Sequence, residues 1–203
     1  AMQPPTILGG RRIAAGYDGT TVFDDLEIEL RDGEVTMVVG ANGAGKSTLL
    51  RCLAGMQPLQ SGELELDAQV VDPTGPEHWR DVFAVLDQNA WLPDLTVADH
   101  LLLTGDPAIV DAALHRVGLS AALGDRLPGA LSSGQRQRAA LAVAVVRPWR
   151  VLLLDEPERH LDDEGVEMIA SLVRELAGDG RSVAVATHSA VLRALPDAQM
   201  MQL

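Results

Sequence analysis

The sequence is almost without lysine. Of its 16 basic residues only Lys46 is a lysine, and the rest are arginines. Acidic residues outnumber basic ones, since 29 Asp and Glu bring the formal net charge to -13. Nucleic acids and anionic membranes attract clustered positive charge. The composition therefore predicts that no nucleic acid is a partner.

Cysteine, aromatic residues and long apolar runs are also scarce. Cys52 is the single cysteine, so no internal disulfide is possible, which fits a reducing compartment. Aromatic residues make up 3% of the chain, so the core has to be aliphatic. The longest apolar run, 139–146, ends at Arg147 and Pro148, well short of the roughly 18 residues of a membrane span. Any transport function therefore needs a separate membrane protein.

Strand and helix patterns alternate along most of the chain. Residues 11–31 alternate apolar and polar around turn signals, which predicts two antiparallel strands. Continuous apolar runs predict strands buried on both faces at 34–39, 81–86, 150–157 and 182–186, the third of which ends in acids. Helical patterns lie between these runs, so we expect an α/β fold with a mostly parallel central sheet and an antiparallel β subdomain. Residues of about 90–135 interrupt the alternation and predict a helical subdomain inserted into a single domain, 1–203.

A glycine-rich stretch carries the lone lysine. Gly40 and Gly45-Lys46-Ser47 fit the pattern G-x-x-x-x-G-K-[ST], between a predicted strand and a predicted helix. Glycines let backbone amides converge on phosphate oxygens, and a helix N-terminus adds the positive end of its dipole. Lys46 is a compact cation that reaches between two phosphates, where the arginine fork fits poorly. The Ser47 hydroxyl suits Mg²⁺, so the stretch predicts binding of a nucleoside triphosphate with Mg²⁺.

A buried strand pattern ends in two acids. Asp155 and Glu156 follow the run VLLL, 151–154, at the edge where open α/β sheets bind their ligands. Such a pair is commonplace by itself, but here it lies downstream of a phosphate-binding loop. The pattern predicts that Asp155 holds Mg²⁺ and that Glu156 polarises the attacking water.

Further motifs follow in an order that resembles the ATP-binding-cassette (ABC) ATPases over nearly the whole chain, from Arg11 to Leu203. The stretch LSSGQRQR, 131–138, resembles the signature loop of that family. The matching residues are Tyr17 (stacking on adenine), Gly40, Asn42, Gly43, Ala44, Gly45, Lys46, Ser47 and Thr48 (Walker A), Gln88 (Q-loop), Ser132, Gly134 and Gln135 (signature), Asp155 and Glu156 (Walker B), and His188 (switch).

The resemblance implies the P-loop NTPase fold of the ABC type and an ATPase that drives an ABC transporter. Its catalytic residues would be Lys46, Gln88, Glu156 and His188, and its Mg²⁺ ligands Ser47, Gln88 and Asp155. Two ATP molecules would be sandwiched between the Walker A loop of one chain and the signature loop of another.

The resemblance also implies partners. These are a second ABC ATPase subunit, identical or different, and a transmembrane permease subunit that holds the protein at the cytoplasmic face of the cell membrane. The alternative is a soluble ABC ATPase that acts in a non-transport assembly process such as iron–sulfur cluster biogenesis.

Two stretches depart from the family pattern. Ser133 stands where the signature usually has glycine, a small change from which we expect little consequence. In EPERHLD, 156–162, which we call the D-loop after the family, Glu158, Arg159 and His160 replace small or hydroxyl residues. Because the family places this segment against the partner subunit, the charged triplet adjusts dimer contacts, pairs with a differing partner or forms a solvated turn.

One further stretch is a candidate contact for the membrane partner. Trp91, Leu92 and Leu95 follow the Q-loop glutamine closely. An exposed apolar patch there would mark an interface, whereas the same side chains packed internally would belong to the core.

Overall fold

The computed structural model describes residues 3–86, 91–103 and 105–203. Its strands are β1 Thr6–Tyr17, β2 Thr20–Arg31, β3 Val35–Val39, β4 Ser61–Leu66, β5 Gln69–Val71, β6 Val82–Val85, β7 Val151–Asp155, β8 Ser182–Ala186 and β9 Gln199–Gln202. Its α-helices are α1 Lys46–Leu53, α2 Pro76–Asp81, α3 Val97–Leu102, α4 Val110–Arg116, α5 Ser133–Val146, α6 Asp163–Gly178 and α7 Ala190–Arg193.

The strands form two sheets. Five of them make a parallel sheet in the order β6-β7-β8-β3-β9, and four make an antiparallel sheet in the order β2-β1-β4-β5. The long pair β1 and β2 runs antiparallel along nearly its whole length, from Thr6↔Arg31 to Tyr17↔Thr20. The predicted combination of a parallel central sheet and an antiparallel β region is confirmed.

The three inner strands of the parallel sheet, β7, β8 and β3, are buried on both faces, as their continuous apolar runs predict. Every residue of β7 is buried, and because side chains alternate along a strand, they divide between two cores. Leu152 and Leu154 join the core that contains α5 and α6, whereas Val151 and Leu153 join the core that contains α1 and the antiparallel sheet. Each buried leucine stabilises the fold by about 2 kcal/mol relative to an exposed one.

Helices α3 and α4 occupy the region between β6 and β7. A capping box begins α3, in which the Asp99 amide donates to the Thr96 hydroxyl and the Thr96 amide donates to the Asp99 carboxylate. The region packs against α5 through residues such as Leu101 and Leu114, which are fully buried. The bounds of a separate helical subdomain, about 90–135, stay a prediction.

Three short elements were not expected from the sequence, namely β5, α2 and α7. The helix α2 places His78 in the core, where it is 0% exposed. Its Nε2 lies 2.7 Å from the carbonyl oxygen of Leu53 at the end of α1. Within the described residues, its Nδ1 is buried with no hydrogen-bond partner. Burial lowers the pKa of His78, because a charged ring would lose its hydration, so the ring is neutral in the fold.

The buried histidine predicts a loss of stability in mild acid. Below pH 6.5, the ordinary pKa of histidine, the unfolded chain takes up a proton that folded His78 resists. The free energy of unfolding should therefore fall by up to ~1.4 kcal/mol per pH unit as the pH drops from 6.5 towards the lowered pKa. Urea unfolding between neutral and mildly acidic pH measures this slope.

His78→Gln should flatten the slope, because the amide still donates to Leu53 and does not titrate. The matched control is His115→Gln, since His115 is exposed on α4. An unchanged slope in His78→Gln would contradict the assignment.

Candidate functional site

The phosphate loop, 40–48, connects the carboxyl end of β3 to α1. Gly45 is the N-cap of α1 with φ of 101°, and no side chain caps this end of the helix. A Cβ at Gly45 would lie 2.4 Å from Cγ1 of Val22, so both the backbone conformation and the close approach of β2 require glycine there. The first turn of α1, which is fully described, carries no acid. The amides and dipole of this helix end are therefore left to attract an anion.

Lys46 is held by the loop in which it lies. Its Nζ donates to the carbonyl oxygens of Gly40 at 2.9 Å and Ala41 at 3.0 Å, and the residue is 7% exposed. These bonds use two of the three donors of the ammonium group. The positive charge is thus fixed beside the loop before any ligand arrives.

The phosphate loop opens into a cavity of about 580 Å³. Its lining residues are Tyr17, Val22, Asn42, Gly43, Gly45, Lys46, Ser47, Thr48, Glu156 and His188. All but Val22 were predicted as site residues, and the structure brings them together from four separate stretches. Tyr17 ends β1, is 45% exposed, and its hydroxyl lies 3.2 Å from Oγ1 of Thr48. Its ring therefore borders the cavity and does not belong to the core.

The acids and the switch histidine come from neighbouring parallel strands. Asp155, the last residue of β7, pairs with Ala186 of β8 and is 5% exposed. Glu156 follows with φ of 44°, and its amide donates to the carbonyl of Ala186 at 2.8 Å. His188 lies two residues beyond β8, with its Nε2 3.5 Å from Oε1 of Glu156. The two strands share a carboxyl edge, which thus places the side chains of Glu156 and His188 at the cavity.

The oxygen donors of the site fit Mg²⁺. This ion binds in proteins through one or two carboxylates, together with substrate phosphates and water. Asp155 supplies a buried carboxylate at the end of β7, although it is not among the residues that line the cavity, and Ser47 supplies a hydroxyl in the cavity lining. Among the described residues no group of three or more His, Cys, Asp and Glu side chains could hold a metal by itself. The third predicted ligand, Gln88, lies outside the described residues.

The D-loop contacts its own chain. Oε1 of Glu158 accepts from the Thr187 hydroxyl at 2.5 Å, the His188 amide at 3.1 Å and the Ser189 amide at 3.2 Å. Arg159 donates to Oε2 of Glu156 through Nη2 at 2.5 Å and Nε at 3.2 Å. The side chains of Glu158 and Arg159 thus make specific contacts within their own chain and do not simply form a solvated turn. Reasoning from the sequence did not identify these partners.

The signature loop begins α5 and packs against the D-loop. Ser132 caps the helix, since its Oγ accepts from the Gln135 amide at 3.2 Å and its own amide donates to Oε1 of Gln135 at 2.9 Å. A Cβ at Gly134 would lie 2.8 Å from the carbonyl oxygen of His160, so this glycine lets the D-loop pack closely. Ser132, Gly134 and Gln135 are not among the residues that line the cavity around Lys46.

The three apolar residues of the candidate contact for a membrane partner differ in their exposure to solvent. Trp91 packs against the core and its ring meets that of His100 edge to face, with centroids 4.9 Å apart. Leu92 is 53% exposed, whereas Leu95 is partly buried. No helix in the described ranges, 3–86, 91–103 and 105–203, is both long and apolar enough to cross a membrane.

The family described as "ABC transporter" matches residues 23–159 of the chain. FbpC, the Fe(3+) ions import ATP-binding protein of Streptomyces coelicolor, is 36% identical over 197 residues, which are 92% of this chain and 56% of that protein. CcmA, the cytochrome c biogenesis ATP-binding export protein of Rhodopseudomonas palustris, is 36% identical over 188 residues, 90% of this chain and 92% of that protein. The chain therefore belongs to the ABC transporter family.

Solved structures show the same fold. The dimeric structure of MJ0796, a bacterial ABC transporter cassette, matches with a TM-score of 0.86 at 23% identity, over 97% of this chain and 94% of that one. The predicted fold class, a P-loop NTPase of the ABC type, is confirmed. The chain spans about half the length of several curated relatives, including 46% of the ABC transporter ATP-binding protein y4oS of Sinorhizobium fredii, which is 40% identical over 80% of this chain.

The contacts of Glu158 predict that it holds residues 187–189, which contain the switch histidine, in place. Glu158→Ala would remove the acceptor of the Thr187 hydroxyl and of the His188 amide, whereas the Ser189 amide keeps its bond to Oγ1 of Thr187 at 2.9 Å. We therefore expect a loss of roughly 2–3 kcal/mol in the free energy of unfolding. Glu158→Gln should lose less than half of that, because an amide oxygen can accept the same three bonds. Urea unfolding at pH 7 measures both variants.

Glu167→Ala is the control for the loss of an acid, since Glu167 lies exposed on α6. A Glu158→Ala variant as stable as this control would show that the three bonds contribute nothing net.

Proposed function

We propose that this chain is the ATP-binding and ATP-hydrolysing subunit of an ABC transporter, acting as one domain, 1–203, with a helical region at about 90–135. The observation that carries the proposal is the convergence on one cavity of the phosphate loop, Tyr17, Glu156 and His188. These groups come from separate stretches of the chain, and each has the chemistry that one part of an ATP molecule and its hydrolysis requires.

In this proposal the phosphate loop binds the phosphates of ATP and Tyr17 stacks on the adenine. The glycine-rich turn and the uncapped start of α1 direct amides at the phosphate oxygens. Lys46 neutralises negative charge between the last two phosphates. Because the carbonyls of Gly40 and Ala41 already hold its ammonium group, little reorganisation is needed on binding.

Mg²⁺ would be held by Ser47, Asp155 and Gln88 together with phosphate oxygens. When bound, the ion supplies charge neutralisation at the phosphates. Burial of Asp155 at the end of β7 keeps its carboxylate in place for this role.

Glu156 and His188 act on the terminal phosphate. Glu156 polarises the attacking water by accepting a hydrogen bond from it, and so orients the oxygen lone pair towards phosphorus. His188 contacts the γ-phosphate, and its Nε2 also lies near Glu156. Both residues border the cavity beside Lys46, as an in-line attack on the last phosphate requires.

The active form is a dimer, identical or mixed, in which a second ABC ATPase subunit closes the cavity. Support comes from the position of Ser132, Gly134 and Gln135, which start α5 outside the cavity of their own chain. A helix start with a small residue on its first turn is a second place for phosphate oxygens. We propose that these residues complete the site of the partner subunit, so that ATP holds the two chains together until hydrolysis.

A transmembrane permease subunit would couple the dimer to transport and hold it at the cytoplasmic face of the cell membrane. The relatives FbpC and CcmA are named as import and export proteins, which favours transport over a soluble assembly function such as iron–sulfur cluster biogenesis. The exposed Leu92 is a candidate contact for that partner.

Lys46→Ala should weaken binding of Mg-ATP by about 100-fold, because the only side-chain cation fixed on the phosphate loop is lost. Lys46→Arg should also weaken binding, since the wider guanidinium cannot sit between the Gly40 and Ala41 carbonyls. Titration calorimetry measures the affinities. The control is Arg51→Ala on the same helix, and an affinity unchanged in Lys46→Ala would refute the role given to the lysine.

Glu156→Gln should keep ATP binding and lower turnover by about 100-fold or more, since an amide is a poor acceptor for the water proton. ATP that is bound but not hydrolysed should then hold two chains together. Size-exclusion chromatography with saturating Mg-ATP is expected to show a dimer for this variant and a monomer for Lys46→Ala. A monomeric Glu156→Gln at saturating ATP would count against the sandwich.

A further inference from the structure

The proposed catalytic glutamate is already engaged within its own chain. Both Nη2 and Nε of Arg159 donate to its Oε2, at 2.5 Å and 3.2 Å. Its other oxygen, Oε1, lies 3.5 Å from Nε2 of His188. Each carboxylate oxygen of Glu156 therefore faces a nitrogen of the protein.

The local sequence builds this ion pair. The Arg159 amide donates to the carbonyl of Glu156 at 3.0 Å, which closes a four-residue turn with Pro157 in its second position. Proline favours that position because its φ is already fixed. The bond brings the first and last residues of the turn together, so the side chains of Glu156 and Arg159 can meet.

Glu158 fixes the same turn from the other side. Its carboxylate accepts from Thr187, His188 and Ser189, beyond the end of the neighbouring strand. Next to it, Glu156 has φ of 44°, a left-handed conformation that is uncommon for a residue with a side chain. The backbone that precedes Arg159 is therefore held, and the guanidinium is directed at Glu156 by the shape of the turn.

The ion pair opposes the role that Glu156 has in the proposed function. To polarise water, a carboxylate needs an oxygen lone pair directed at that water, and Oε2 is occupied by two charge-assisted bonds. The pair is also accessible, since the side chains of Arg159 and Glu156 are 43% and 29% exposed. Solvent screens an ion pair of this kind, so it can be broken by a modest competing interaction.

We infer that Arg159 is a positioning residue that restrains Glu156 in the single chain and must leave it before ATP is hydrolysed. The inference rests on the proposed function. Arg159 is exposed on the D-loop, which also meets the start of α5 where the His160 carbonyl packs on Gly134. A second chain that covers this surface can compete for the guanidinium. Hydrolysis is thereby restricted to the closed dimer.

The test compares steady-state hydrolysis of Mg-ATP by the full chain and its variants. Arg159→Ala should raise kcat by about three- to tenfold, the range expected when an accessible ion pair is removed from the reactant state. KM should change by less than about twofold, because the nucleotide contacts of Lys46 and Tyr17 are intact. The kcat of Arg159→Lys should lie between those of wild type and Arg159→Ala, because lysine keeps the charge but lacks the forked guanidinium.

Two further variants separate the restraint from other effects of an arginine loss. Arg12→Ala also breaks an ion pair, with Asp25 at 2.9 Å, away from the residues that line the cavity, and should leave kcat unchanged. Glu156→Gln with Arg159→Ala should be as slow as Glu156→Gln alone, because the increase acts through Glu156. Thermal melting checks that each variant is folded.

The outcomes distinguish the inference from the proposed function. If wild type hydrolyses ATP and folded Arg159→Ala is equally fast or slower, the restraint is refuted while the proposed function stands. Faster turnover that persists in the Glu156→Gln background also refutes the restraint. If neither wild type nor Arg159→Ala exceeds Lys46→Ala, the proposed function itself fails.

Discussion

The register of three parallel strands is the constraint on which the candidate site depends. β8 pairs with β3 on one side and with β7 on the other, and Ala186 of β8 meets both Val38 and Asp155. A slip of one residue would exchange the two faces of a strand, and neither close-packed core would accommodate the side chains of the other. Because both faces are buried in aliphatic cores, such a slip is costly. The phosphate loop, the acids and the switch histidine therefore end at one edge.

The net negative charge of the chain is compatible with an anionic ligand such as the one proposed, because charges in salt solution act only over short distances. The net charge is -13, yet charges on the surface are screened beyond about 10 Å at moderate salt. Within that distance the phosphate loop presents a buried ammonium, backbone amides and a helix end with no acid in its first turn. In the proposed function a single lysine is enough, because the backbone amides and the helix dipole add to its attraction for an anion.

Much of the fold and of the candidate site could be predicted because it follows from chemistry in short stretches. The runs that became β3, β7 and β8 are continuous and apolar, and ligand-type residues follow each of them. The short helix α2 was not predicted, because six residues are too few to show a helical period. The burial of His78 was not predicted either, because histidine is a polar residue. The bonds of Glu158 could not be predicted, because they join residues about thirty positions apart through a turn whose geometry is not visible in the sequence.

The antiparallel sheet also has a part in the site that its sequence pattern does not indicate. Val22 of β2 lies against Gly45, so close that any Cβ there would clash. The phosphate loop is thus supported by a strand from the other sheet, and Tyr17 reaches the cavity from the end of β1. The candidate site is therefore assembled from both sheets.

The isolation of Lys46 in the sequence has a practical consequence. A protease that recognises only lysine has a single target in the 203 residues, the bond after Lys46 in the first turn of α1. Because this residue is 7% exposed, cleavage requires the helix to open locally. The rate of that one cleavage reports how often the phosphate loop and the start of α1 open, because such a protease does not cleave at the arginines elsewhere.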